Sequence, residues 1–519
     1  MSLCAVRGGG CRLDPAQRNE WTDEANGMKT GPQARSAGLR AGVLGLSLLL
    51  AGCGIDRDDG PVQVDVIGLP EQAANPLRDS SPPAAKAVLG AVAQGLLSYD
   101  ARGEVIDALA ESWIVEDGGQ SYIFRLKRLR WPNGELVKAD QVAGLLRERM
   151  RANPLSMAGL RPQVRAMTDR VIEIRLDAVL PTFLQLLAQP QFAIVTRAGG
   201  TGPYRSARMD GAIELVPAAN PGGDPVGEAQ PPESIEKRAL HVSRASLALV
   251  RFKARQTDLV LGGRFQHVPL VEASGLSLTD LRNDPVSGLL GLAFTGSSKF
   301  IADRTVRDAL ARVVDRTAFA AELGFPGWRT SDYPLPGALE LNRQPSAPAW
   351  MGRAMTDRVA SARQIIARWS ADNGEPPMLR IALPDGAGAS ILFIRLARDF
   401  GQLGIRVDRV APGAPADLRL IDEVAPFDSA LWYLSRLDCA ARVLCDVRAS
   451  ALLAAARKAG DAAEQARLLG EAEELTVEFA GYIPLGAPIR WAMASRRLTG
   501  FQASPRGIHP LNRLIATPN

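Results

Sequence analysis

Histidine is scarce in this chain. His241, His267 and His509 are the three among 519 residues, and they lie far apart. A histidine-rich metal centre, nickel or haem included, therefore has no support in the sequence. Aromatic residues make up 5%, which disfavours an oligosaccharide cleft built on stacking rings. Charge of one sign is not concentrated: 61 Lys+Arg stand against 56 Asp+Glu, leaving +5, with no run of five or six like charges. Without a basic stripe carrying aromatics, no nucleic-acid partner is expected. The catalytic signatures H-E-x-x-H, G-x-S-x-G and G-x-x-x-x-G-K-[ST] are absent, so no enzyme activity and no cofactor is expected. There is no C-x-x-C among the five cysteines.

What the chain has is length and a globular balance, 46% hydrophobic against 23% charged. That is too long for one ordinary domain, and two or three lobes are expected. The first sharp signal is Gly42 to Gly52, GVLGLSLLLAG, preceded by Lys29, Arg35 and Arg40. A basic region ahead of a short apolar run reads as an export signal. The run is too short to span a bilayer of about 30 Å. It ends in Leu50-Ala51-Gly52-Cys53, which resembles the bacterial lipobox, whose cysteine is lipidated and becomes the mature N-terminus. The expected organisation is 1–27 untranslated or disordered, with Met28 as start, then 28–52 as signal peptide and 53–61 as a polar tether. A membrane partner is thus expected through lipid on Cys53. After processing, Cys439 and Cys445 remain, spaced C-x5-C. In an oxidising compartment a local disulfide is the favoured reading, with two buried thiols as the alternative.

Helical and strand patterns alternate along the rest. Val62–Leu69, residues 121–127, Val171–Leu176, Met378–Leu383 and Ile405–Val410 read as strands, and Pro82–Leu97, Ala139–Met150, Arg304–Val314, Ala360–Trp369, Ile391–Leu403, 446–459 and 461–479 as helices. Asp461 followed by Glu464 has the spacing of a capping box. Mixed α/β with several sheets follows. Gly386-Ala-Gly388-Ala-Ser-Ile391, with Asp408 downstream, has the layout of a dinucleotide fingerprint but lacks the third glycine, so it reads as an ordinary strand-to-helix turn.

Several segments, taken in order, resemble one family. They are Leu109-Ala110-Glu111-Ser112-Trp113, Tyr122-Ile123-Phe124, Trp131-Pro132-Asn133-Gly134, Ala139-Asp140-Gln141-Val142, Gly200-Thr201-Gly202-Pro203-Tyr204, and Asp303 to Leu310 with Asp315-Arg316. Tyr482 to Leu485 and Gly507 to Pro510 extend the series to the C-terminus. The chain is identified as a member of the bacterial extracellular solute-binding proteins of ABC importers, family 5, which includes oligopeptide-, dipeptide- and nickel-binding proteins. The resemblance implies a two-lobed periplasmic-binding-protein-like α/β fold with a hinge, lobe one split into two subdomains. Mapped here, subdomain I covers 62–95, 196–288 and 485–519, subdomain II 96–195, and lobe two 289–484. It further implies a monomer that captures a small peptide or similar solute and hands it to ABC importer permease subunits. A sensor without a transporter, a binder of a non-peptide solute, and a hydrolase on the same scaffold are the alternatives.

Peptide binders of this family carry an acid after a tryptophan in lobe two that pairs the peptide ammonium, a charge-assisted bond in a closed cleft. The corresponding stretch here, Leu418 to Tyr433, has Ile421 near the place of that tryptophan and shifts the acids to Asp422 and Glu423. These two read either as the ammonium anchor or as solvated loop carboxylates. Glu71 and Gln72 follow the first strand where the resemblance places the cleft, with helix capping or solvent exposure as the other reading. Phe427 and Trp432 either line the cleft or pack in the core.

Overall fold

The computed structural model describes residues 60–76, 82–153, 161–209, 211–218, 234–296, 298–337, 339–341 and 343–516. The export signal, Cys53 and most of the Pro/Gly-rich stretch 218–234 lie outside the described residues.

Two large sheets organise the described chain. The first has seven strands in the order Tyr204–Met209, Ala212–Pro217, Arg238–Ser243, Val62–Ile67, Leu259–Arg264, Arg490–Ala494 and Leu281–Asn283. Val62–Ile67 sits at its centre and pairs in parallel with both neighbours. Its valines are fully buried, as expected of a strand covered on both faces. The second sheet orders Val407–Val410, Leu379–Ala382, Leu418–Val424, Gly288–Phe294 and Tyr482–Gly486. The chain passes between the two sheets twice, at residues 284–287 and again at 487–489, and Asp284 N–H donates to the Arg490 carbonyl at 2.9 Å, tying the two passages together. A third, four-stranded antiparallel sheet (Ala110–Glu116, Ser121–Leu126, Val171–Arg175, Gln163–Thr168) packs against the helix Ala139–Ala152. One buried apolar cluster unites residues 96–194 with 421–482. This is the mixed α/β, two-lobed architecture expected from the sequence.

The motif residues are mostly structural. Asp303 caps the helix Arg304–Val313 by accepting from Thr305 N–H at 2.8 Å, and Asp315 caps Arg316–Leu323 by accepting from Ala318 N–H at 2.9 Å. Arg307 is buried, donates to the carbonyls of Ile301, Ala302 and Phe479, and lies 4.1 Å over the Phe479 ring. A Cβ on Gly202 would stand 2.3 Å from the Val92 carbonyl carbon, so the second glycine of G-T-G-P-Y is needed where the chain crosses the end of the helix Pro83–Val92. Asp461 accepts from the N–H groups of Ala463 and Glu464, both at 2.9 Å. A disulfide joins Cys439 to Cys445, with Cα atoms 5.2 Å apart.

Some boundaries differ from the pattern reading. The helix read as Ile391–Leu403 begins at Ala387, and the one read as Ala360–Trp369 runs Met355–Asn373. The first shift has a packing cause: a Cβ on Gly388 would lie 2.2 Å from the Phe265 carbonyl oxygen. The two glycines let this helix start lie against the segment 265–266, and that contact fills the space a dinucleotide pyrophosphate would need. The helix read as Pro82–Leu97 stops at Val92, and Leu97–Tyr99 is a strand.

Candidate ligand-binding cavity

A cavity of about 770 Å³ opens among the first sheet, the second sheet and the 97–192 region. That volume lies within the range of small-molecule sites. Its walls come from the helix Pro83–Val92, the strand Leu97–Tyr99, residues 186–203, the ends of Leu259–Arg264 and Leu418–Val424, the helix start near Trp432, and residues 490–491 and 506–513.

Four of the six residues proposed from sequence are brought together here. Asp422, Glu423, Phe427 and Trp432 all line the cavity. Phe427 is also buried in the apolar cluster, while Trp432 is partly buried and stands edge-on to Tyr433. Glu71 and Gln72 do not line it. Glu71 is exposed, and the Gln72 side-chain oxygen accepts from Leu69 N–H at 2.9 Å, the capping role.

Each cavity carboxylate already has a partner in the chain, a cation for Asp422, Glu423 and Asp107 and an imidazole for Asp284. Asp422 Oδ1 accepts from Arg490 Nη1 at 2.7 Å, and the other terminal nitrogen of Arg490 donates to the Asp422 carbonyl at 3.0 Å. This pair joins a strand of the first sheet to one of the second. Glu423 accepts from Arg436 Nε at 2.6 Å. Asp107 pairs with Lys127 at 2.6 Å, and Asp284 lies 3.0 Å from His509 Nε2. Arg506 grips Asp428 with two bonds of 3.0 and 2.9 Å. The hydroxyl of Tyr99 lies 2.9 Å from the Pro426 carbonyl and 2.7 Å from that of Gln185, and burial pushes its phenol up.

Arg264 is the residue that sequence reasoning missed. It ends the strand Leu259–Arg264, lines the cavity and is partly buried. The reason it points there lies in the preceding pair of glycines. Gly262 adopts φ +83°, the left-handed conformation that favours glycine. A Cβ on Gly263 would fall 2.1 Å from the Trp491 ring. The pairing register with Arg490–Ala494 shifts at this point. Trp491 itself is fully buried and donates Nε1–H to the Arg264 carbonyl at 3.2 Å, fixing the backbone. Burial, then the neighbouring Arg490, hold the Arg264 guanidinium below its ordinary value. Next along the chain, His267 is pushed down to about 4, mainly by burial and then by Arg264. It is neutral, and its Nδ1 accepts from Arg264 N–H at 3.4 Å. A charged residue placed directly after an apolar strand and two glycines (LVLGGR) was the signal available in the sequence.

Among the described residues no cluster of three or more His, Cys, Asp or Glu could hold a metal ion. No helix among the described residues is long and apolar enough to cross a membrane. A mixed polar–apolar cavity with walls from both large sheets is suited to holding a solute.

The comparisons define the class. Residues 104–411, more than half of the chain, match the family described as bacterial extracellular solute-binding proteins, family 5 Middle. The chain belongs to that family. Among curated proteins, it is 32% identical over 119 residues to the probable deoxycholate-binding periplasmic protein of Escherichia coli (strain K12), covering 19% of this chain and 22% of that one. It is also 32% identical over 105 residues to the nickel-binding periplasmic protein of the same organism, covering 19% and 20%. The chain thus spans about a fifth of the length of these curated relatives. Solved structures match over far more. The Escherichia coli murein tripeptide binding protein MppA superposes with TM-score 0.75 at 16% identity, covering 88% of this chain and 99% of that one. OppA of Haemophilus influenzae in complex with RPPGFSPFR gives 0.73 at 16%, with the same coverage. NikA from Brucella suis in complex with Fe(III)-EDTA gives 0.70 at 17%, covering 88% and 100%. These likenesses show a shared fold.

Proposed function

We propose that this protein is the extracytoplasmic solute-capturing component of an ABC importer, enclosing a small peptide or peptide-like solute between its lobes and presenting it to permease subunits. The observation that carries this reading is the 770 Å³ cavity with walls from both sheets. Capture works by population shift: the solute touches both lobes only when they are closed, so it binds that state better and favours it. Family membership supports the transport role, and peptide ligands among the matched structures support the solute class. The lobe boundaries remain as mapped, with 62–95, 196–288 and 485–519, then 96–195, then 289–484. The protein acts as a monomer, without catalysis.

The N-terminal pattern supports export and an anchor on lipidated Cys53. A Cys53→Ser variant should leave the membrane fraction or stay unprocessed, and unchanged partitioning would refute the anchor. For capture, native mass spectrometry of the protein purified without denaturation should find a co-purified small molecule. A thermal-shift screen of peptides should raise the melting temperature. At a hundredfold excess over Kd, binding adds about 2.7 kcal/mol, or about 3 °C for roughly 460 folded residues at about 2.1 cal/mol/K each. An empty protein that no solute stabilises would refute the reading.

A further inference from the structure

The acids that looked suited to a ligand ammonium are already neutralised. Asp422 and Glu423 hold Arg490 and Arg436, and the remaining cavity acids Asp107 and Asp284 hold Lys127 and His509. Recruiting Asp422, Glu423 or Asp107 to a ligand cation would strand its own cationic partner, and Asp284 is held by His509 and by the Ser504 N–H. Arg264 stands the other way round. Among the described residues its guanidinium makes no hydrogen bond and no ion pair; its backbone N–H and carbonyl are the groups engaged, with His267 and Trp491. Asp422 and Glu423 act on it only through their fields, opposed by that of Arg490. An uncompensated charge in a partly buried wall is costly, and a ligand anion would relieve it. A second group points the same way. Gln189 lines the cavity with only 6% of its surface exposed. Its side-chain oxygen is taken by Gln191 Nε2 at 2.5 Å, which turns the amide nitrogen away, and that buried Nε2 has no partner. The cavity therefore offers a cation that lacks an acceptor, and a donor buried in its lining lacks one too.

We propose that the bound solute carries a carboxylate or similar oxyanion and that Arg264 is the residue that takes it, with Gln189 turning its buried amide nitrogen to an acceptor on the same solute. This rests on the reading of the cavity as a solute site and names the charge class of its solute. A free peptide would then be held by its carboxyl end or an acidic side chain rather than by its ammonium.

The test uses the full chain, with thermal shift and titration calorimetry, against paired probes: trialanine, succinate and deoxycholate, each beside its carboxamide. The expected result is that at least one free acid raises the melting temperature and its amide does not. Arg264→Gln should then weaken that acid roughly ten- to a hundredfold, the range for losing a charge-assisted hydrogen bond. Its ligand-free melting temperature should match or exceed that of wild type, because the substitution removes an unpaired charge from the wall, and Arg264→Lys should keep part of the affinity. If Arg264→Gln does not fold, Arg264→Lys decides: affinity for the acid should fall but exceed that for the amide. If acid and amide bind alike, or if Arg264→Gln binds the acid as well as wild type does, the anchor is overturned and the solute-site reading stands. If no probe binds and native mass spectrometry finds no co-purified solute, the solute-site reading falls and the anchor with it.

Discussion

Replacing Arg490 by methionine tests whether the two sheets are stapled through the cavity wall. Arg490 lies in the strand Arg490–Ala494 of the first sheet, and Asp422 in Leu418–Val424 of the second. Their side chains are 13% and 10% exposed, so water replaces a lost partner only in part. The substitution removes bonds of 2.7 and 3.0 Å to the side chain and carbonyl of Asp422, and another of 2.9 Å to the Ile489 carbonyl. Methionine keeps most of the apolar stem, so the loss is electrostatic. Stranding a buried charge costs about 3–5 kcal/mol; the cavity admits solvent to this wall, so the lower end, about 3 kcal/mol, is expected. Spread over roughly 460 residues, that lowers the melting temperature by about 3 °C. Calorimetry on Arg490→Met, Asp422→Asn and the double variant closes a cycle. The double variant should lose clearly less than the sum of the singles, because each single change leaves a charge or donor unpaired. Additive losses below about 1 kcal/mol each would class the pair with exposed ion pairs and refute the staple.

Three further outcomes follow from local geometry. Gly202→Ala should cost about 3 kcal/mol or block folding, since the new Cβ meets backbone atoms of Val92 and Ala93 at 2.3 and 2.4 Å rather than a side chain that can turn away; denaturant unfolding reads this, and a loss under about 0.5 kcal/mol would refute it. Cys439→Ser with Cys445→Ser should cost about 2 kcal/mol from the short loop that the bridge closes, with unfolding of the wild type under reductant giving the same shift. His267 is held neutral in the folded chain with a value of about 4, below its unfolded 6.5. Between these values the unfolded chain binds the extra proton, so stability is full above pH 6.5 and falls as pH drops toward 4, by up to about 3 kcal/mol. His267→Gln should flatten that part of the pH–stability profile, and an unaltered slope would show that other groups carry it.

The class of fold was legible because its local signals agree. Alternating strands such as 121–127 and capped helices such as the one opened by Asp461 each depend on neighbours within a few residues. The helix starting at Ala387 was misplaced because its glycines serve a contact with Phe265, more than a hundred positions away. The candidate site was half legible. Asp422, Glu423, Phe427 and Trp432 fall in one segment, so one motif brought all four to the cavity. Glu71 and Gln72 were placed by analogy of position, and a cap on Leu69 claimed the glutamine. The pairing of Asp422 with Arg490 spans 68 positions and crosses between sheets, and no spacing rule announces it. Arg264 escaped because two glycines and a buried tryptophan, rather than any motif, aim it.

The central strand Val62–Ile67 shares its sheet with Arg490–Ala494, with Leu259–Arg264 between them. Order in space and order in time therefore conflict. At 5–20 residues per second, a ribosome would take roughly 20–80 s to deliver the later strand after the earlier one. Throughout that interval the first sheet lacks an inner strand, and once Leu259–Arg264 has been made its apolar edge stays open until the later strand arrives. Such long-range closure also slows folding once the chain is complete. A molecule threaded in this way cannot finish its first sheet until nearly all of it has been made, a property that would suit a chain drawn through a narrow channel before it takes shape.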